Sequence, residues 1–110
     1  MQALLAAIDA ADWDKLHGML HERSRYEVPG QPPFEGRDAV MHYYRALRPI
    51  ASGRHDVESI VVDGDRAVCC GRFRGERRDG SRIDLSFADV VLFAAGLILT
   101  RRVYFHEPAR

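Results

Sequence analysis

Apolar residues recur at helical spacing through the first half of the chain and at a strand's period of two through the second. Residues 2–10 place Leu4, Leu5, Ile8 and, just beyond, Ala11 on one side of a helix. Asp12 has the side chain of an N-cap and opens a second short helix over 13–20, with Leu16, Met19 and Leu20 as its inner stripe. Residues 23–28 read as a short strand. The segment 29–36 holds three prolines and two glycines, which fix backbone angles and make a stiff loop. A third helix is predicted over 37–51. Asp38 suits the positive end of its dipole, Val40, Met41, Tyr44 and Leu47 form its stripe, and Pro49 ends its regular part early.

Beyond that point the period is two. Strands are predicted over 54–62, 66–76, 82–93 and 97–106, separated by Asp63-Gly64-Asp65, by Arg77-Arg78-Asp79-Gly80-Ser81 and by Ala94-Ala95-Gly96. Such turns join consecutive strands into an antiparallel meander. The fold class is therefore α+β: a strongly curved antiparallel sheet with three N-terminal helices on one face. There is no internal repeat or linker, so one domain over 1–110 is expected.

Composition narrows the function classes. Sixteen basic and sixteen acidic residues cancel, which leaves no electrostatic footprint for nucleic acid or an anionic membrane. Cys69 and Cys70 are adjacent in a strand, so they point to opposite faces and neither bond each other nor form a metal-type spacing. A reduced, cytoplasmic setting is expected. Residues 1–8 lack the basic start of a signal peptide, and no apolar run reaches membrane-spanning length.

The strand over 82–93 carries the best chemical clue. Leu85, Phe87, Asp89, Val91 and Phe93 share one of its faces. A lone buried charge is costly, so Asp89 is paired, protonated or facing a cavity. Arg101 lies on the next strand. If it shares the face of Asp89, the two form a buried pair. If it does not, the acid stays protonated among apolar neighbours. The sequence leaves both open. Glu27 ends the first strand just before the stiff loop, either as a solvated edge carboxylate or as a base at a cavity mouth. Tyr44 lies on the third helix's apolar stripe and its hydroxyl needs a partner. His17 and His21 stand four apart on a predicted helix, but no third ligand is near, so solvent-facing histidines and no metal site are expected. The other face of the 82–93 strand, Ser86, Ala88, Val90 and Leu92, with Ile98, Thr100 and Tyr104 beside it, is largely apolar. A second copy packed there, a homodimer, is the expected cover.

Four stretches carry a family resemblance: Ile8-Asp9-Ala10-Ala11-Asp12-Trp13, the run Glu27-Val28-Pro29-Gly30-Gln31-Pro32-Pro33-Phe34-Glu35-Gly36-Arg37, Phe87-Ala88-Asp89-Val90 and Val103-Tyr104-Phe105. Together they resemble the nuclear transport factor 2-like superfamily, in its SnoaL-like polyketide cyclase and ketosteroid isomerase branch, over nearly the whole chain. The resemblance implies a cone whose sheet and helices enclose an apolar pocket. It implies that Glu27 matches the isomerase's general base, Asp89 its neutral hydrogen-bond-donating acid and Tyr44 a supporting tyrosine. Leu4 and Leu20 stand where the isomerase has tyrosines. Phe87 and Val103 stand where limonene epoxide hydrolase has two members of its Asp-Arg-Asp set, with Asp89 at the third.

Two functions are compatible with this. One is an isomerase-, cyclase- or hydrolase-type enzyme doing acid–base chemistry on a small apolar carbonyl compound, with no metal or cofactor. Its pocket would be walled by Phe34, Leu85, Phe87, Val91, Arg101, Val103 and Phe105. The other is a non-catalytic ligand-binding or dimeric accessory protein of the same fold. Whether Glu27 points into the cavity separates them.

Overall fold

Helix α1 (Gln2–Asp9) ends where Ala11 takes a left-handed backbone, φ 53°. Asp12 then starts α2 (Trp13–Met19), its carboxylate accepting the Lys15 backbone N–H at 3.3 Å. The structure, a computed structural model, describes residues 1–107. Strand β1 (Leu20–Glu27) follows α2 without a linker. His21 therefore lies on a strand rather than one helical turn from His17, and its Nδ1 accepts the Arg23 N–H at 2.9 Å. Among the described residues no cluster of three metal-ligating side chains forms.

Inside the segment expected to be loop, β2 (Phe34–Glu35) pairs antiparallel with β1, Tyr26 opposite Phe34. Helix α3 (Arg37–His42) passes into a π-helical turn (Tyr43–Leu47), closed by the Arg48 N–H donating to the Tyr43 carbonyl at 2.8 Å. The i→i+5 bond widens the turn. Neighbours Tyr43 and Tyr44 are both buried as a result, and Leu47, expected on the inner stripe, is 53% exposed. The helix stops short of the predicted residue 51, because Pro49 has no N–H to continue it and β3 begins at Ile50.

The four long strands, β3 (Ile50–Asp63), β4 (Arg66–Arg77), β5 (Arg82–Ala94) and β6 (Leu97–His106), form the predicted antiparallel meander. Strand β1 then joins β6 in parallel, giving a curved, unclosed mixed sheet of order β2-β1-β6-β5-β4-β3. The short β5–β6 connection runs through Ala95 and Gly96, both at positive φ, the backbone of a hairpin turn whose twist matches the strands.

Two features curve the sheet. Bulges interrupt β3 between Ile50 and Ser52 and between Val57 and Ser59. Beneath them Gly71 and Gly75 let the backbones close up: a Cβ at Gly71 would lie 2.0 Å from the Asp56 carbonyl oxygen, and one at Gly75 2.3 Å from that of Ser52.

A bulge in β6 matters more for the site. Leu92 pairs with Thr100 but Phe93 with Ile98, so Leu99 is the extra residue. Ile98 and Arg101 consequently both turn inward and are buried, although simple alternation puts Ile98 outside. On the inner side Leu4, Ile8, Leu16 and Leu20 pack against Val91, Ile98 and Val103, while Leu5 joins Cys69, Phe73, Ile83, Leu85 and Phe87. The outer face is less apolar than its alternation suggested. Arg72 pairs with Asp84 there, and Glu27 with Arg25 and Arg102, beside exposed Tyr104.

Candidate functional site

Between the π-helical turn, the end of β1 and the inner sheet face lies a cavity of about 160 Å³. Val28, Ile50, Phe73, Ile83, Leu85, Val103 and Phe105 supply apolar walls, and Tyr26, Tyr43, Tyr44, His55, Arg101, Arg48 and Arg77 polar groups. Gln31, Phe105 and Glu107 are exposed and mark the open side. Apolar cavities of roughly 150 Å³ hold a benzene-sized molecule.

Arg101 is the hub of the polar end. Its Nε and Nη2 donate to Asp89 Oδ1 and Oδ2 at 2.7 and 3.0 Å, and its Nη1 donates to the Tyr44 hydroxyl at 2.6 Å. The guanidinium carbon sits 4.8 Å from the centre of the Tyr26 ring. Burial opposes the charge on Arg101, but the Asp89 carboxylate and the neighbouring tyrosines outweigh it and hold the guanidinium firmly protonated. Of the two states the sequence left open for Asp89, the structure shows the ion pair. Both carboxylate oxygens accept, so Asp89 has no proton to donate, unlike the neutral acid implied by the resemblance. It is wholly buried behind Arg101 and does not line the cavity.

Tyr44 does line it. Its oxygen accepts from Arg101 and is hydrogen-bonded to the Tyr26 hydroxyl, which leaves this pair of phenols one O–H to donate. A cation on the oxygen side polarises the hydroxyl and strengthens it as a donor. The ring is fixed by Tyr26 stacked at 5.6 Å, Tyr43 edge-on at 5.3 Å and Trp13 at 5.5 Å. Burial pushes Tyr43 up to about 12 and Tyr26 well above the usual phenol range, so both remain neutral donors at the same end.

Glu27 is not part of this group. Tyr26 faces inward on β1, so its neighbour faces outward by the strand's period. On the outer side its carboxylate accepts from Arg102 and, at 3.3 Å, from Arg25. The Arg102 hydrogen bond above all holds the carboxyl below the usual range, which makes it a weak base. Glu27 and Asp89, expected to converge on one pocket, lie on opposite sides of the sheet. Of the other expected wall residues, Leu85, Arg101, Val103 and Phe105 line the cavity. Phe34 instead packs 4.7 Å from Tyr43, and Phe87 and Val91 are buried in the layer behind the wall.

One polar pair had no counterpart in the sequence reading. Asp9, the last residue of α1, accepts the His55 backbone N–H at 2.8 Å on Oδ2 and meets His55 Nδ1 at 2.6 Å through Oδ1. The His55 ring rests 4.5 Å from Phe73 and lines the cavity. The partners are 46 residues apart. Neither sits in a spacing that marks chemistry, so only the packing of α1 on β3 reveals them.

The arrangement has known relatives. The model of the SnoaL-like domain matches residues 1–100. Among curated proteins none matches the chain. A nuclear transport factor 2-like protein of unknown function from Burkholderia pseudomallei superposes with a TM-score of 0.86 at 22% identity, over 96% of this chain and 86% of that one. An epoxide hydrolase from M. tuberculosis of the limonene epoxide hydrolase type gives 0.83 at 20%, over 96% and 78%. A protein with a ketosteroid isomerase-like fold from Catenulispora acidiphila, in complex with trimethylamine, gives 0.82 at 14%, over 94% and 82%. These likenesses are likenesses of fold. With the family model spanning nearly the whole sequence, this chain belongs to the SnoaL-like domain family.

Proposed function

We propose that the chain binds a small, largely apolar molecule carrying one hydrogen-bond-accepting oxygen, held with that oxygen at Tyr44. The observation that carries this is the Tyr44 hydroxyl. It is oriented by Arg101, lines a cavity with apolar walls, and keeps, with the Tyr26 hydroxyl bonded to it, one phenol proton to give. A small carbonyl compound suits both the walls and the donor. The relative that holds trimethylamine supports a small-ligand role for this fold. Binding rather than turnover is the primary reading, because Glu27 lies outside the cavity and Asp89 is committed to Arg101. A second copy over the outer sheet face, around exposed Tyr104, belongs to the same reading.

Calorimetric titration of benzaldehyde against toluene tests it. The aldehyde should bind about tenfold more tightly, the value of one buried hydrogen bond, and should raise the melting temperature. Tyr44→Phe should remove the difference and leave toluene binding in place. Equal affinities for the two compounds in the unaltered chain would sink the proposal.

A further inference from the structure

The polar end at Tyr44 and Arg101 leaves His55 unused, although His55 lines the same cavity. A carboxylate only accepts, so the 2.6 Å contact to Asp9 requires the proton on Nδ1. Neutral His55 then carries a bare lone pair on Nε2, and no partner for Nε2 occurs among the described residues. Asp9 takes the backbone N–H of the same residue on its other oxygen, which fixes the ring's position as well as its tautomer. Edge-on contact with Phe87 at 5.1 Å and the tilted contact with Phe73 at 4.5 Å hold the ring against the apolar wall.

The two polar groups are held by different parts of the sheet, His55 on β3 and Tyr44 through Arg101 on β6. Phe87 touches His55 and precedes Asp89, the anchor of Arg101, by two residues, about 7 Å along a strand. A small ring with substituents at opposite ends has one oxygen for each group. One end meets a donor, Tyr44. The other meets an acceptor, His55 Nε2.

Resting on the binding reading above, we propose that His55, positioned by Asp9, is a proton acceptor in the cavity wall and selects ligands with a hydroxyl opposite their carbonyl group, a hydroxyaryl carbonyl compound. The ligand O–H donates to Nε2. Where the hydroxyl is acidic, its O–H bond breaks and an Nε2–H bond forms. The oxygen keeps the electron pair, which leaves a phenolate beside an imidazolium whose charge Asp9 balances.

The test uses the full chain with benzaldehyde and para-hydroxybenzaldehyde at neutral pH. The hydroxyl should improve affinity about tenfold or more, because a site built around a hydrogen bond discriminates strongly against a ligand lacking it. In His55→Gln that gain, read as the ratio of the two affinities within the same variant, should shrink to about twofold. Bound para-hydroxybenzaldehyde should show the red-shifted phenolate band in the unaltered chain and lose it in His55→Gln. Asp9→Asn should retain benzaldehyde binding and weaken the band, an effect that a purely structural clamp between α1 and β3 does not produce. Nitrogen NMR of the unaltered chain gives a second readout that needs no variant to fold. It should show Nδ1 protonated and Nε2 bare without ligand, and Nε2 protonated with it. Benzaldehyde binding without any gain from the hydroxyl overturns the role of His55 and leaves the binding reading standing. So does a gain that survives in His55→Gln, or a free chain with the proton on Nε2. Failure of benzaldehyde itself to bind overturns both.

Discussion

Arg101 grips Asp89 through two parallel hydrogen bonds and passes a third, from Nη1, to Tyr44, with both charged residues nearly sealed from water. Removing one member of such a pair strands a buried charge. Asp89→Leu and Arg101→Met should each destabilise the fold by about 3–5 kcal/mol. The combined Asp89→Leu, Arg101→Met variant should lose less than the sum of the single changes. Urea unfolding of the variants, arranged as a double-mutant cycle, checks this.

Alkaline pH should weaken the fold through the buried tyrosines. Tyr43 rises from its ordinary value of 10.0 to about 12 because burial, and after it the proximity of Tyr44, disfavours the phenolate. Between these values the unfolded chain releases its proton while the folded chain keeps it. Stability contributed by the neutral phenol is thus complete below pH 10 and is lost as pH rises toward 12. Tyr26 adds in the same direction. Chemical denaturation followed across this window should show a falling midpoint, and Tyr43→Phe should flatten the fall.

Two glycines should answer oppositely to the same change. At Gly71 an added Cβ meets the Asp56 carbonyl at 2.0 Å, so Gly71→Ala forces two paired strands apart and should cost at least about 1–3 kcal/mol. At Gly18, inside α2, nothing lies within 4 Å and the backbone is helical, so Gly18→Ala should stabilise by about 0.5–1 kcal/mol. Thermal melts of the two variants give the comparison directly.

Glu27→Gln should leave ligand affinity unchanged, since the carboxylate is held on the outer face by Arg102 and Arg25. Titration of benzaldehyde into the variant is the measurement. A loss comparable to that from Tyr44→Phe would return Glu27 to the cavity.

Much of this was legible in the chain. The Asp12 cap, the four meander strands, their turns and the inward row from Leu85 to Val91 follow from spacing alone. The Arg101–Asp89 pair was one of two states that alternation allowed. The outward aim of Glu27 was legible too, since Tyr26 beside it is the side chain that belongs inside; the resemblance to an isomerase argued the other way. The remaining features depend on irregularities that periodicity does not encode. The extra residue at Leu99 turns Ile98 inward, and the widened helical turn buries Tyr43 together with Tyr44. Asp9 and His55 meet only because a helix end docks on a distant strand.

Val28, the residue after β1, is in the cavity wall, whereas Glu27 before it is not. An acid therefore missed the cavity by one peptide unit. Val28→Asp or Val28→Glu, each a single-nucleotide exchange in a valine codon, would deliver a carboxylate to the lining without disturbing the outer ion pairs, and so offers a short mutational route to a basic group inside the cavity of this scaffold.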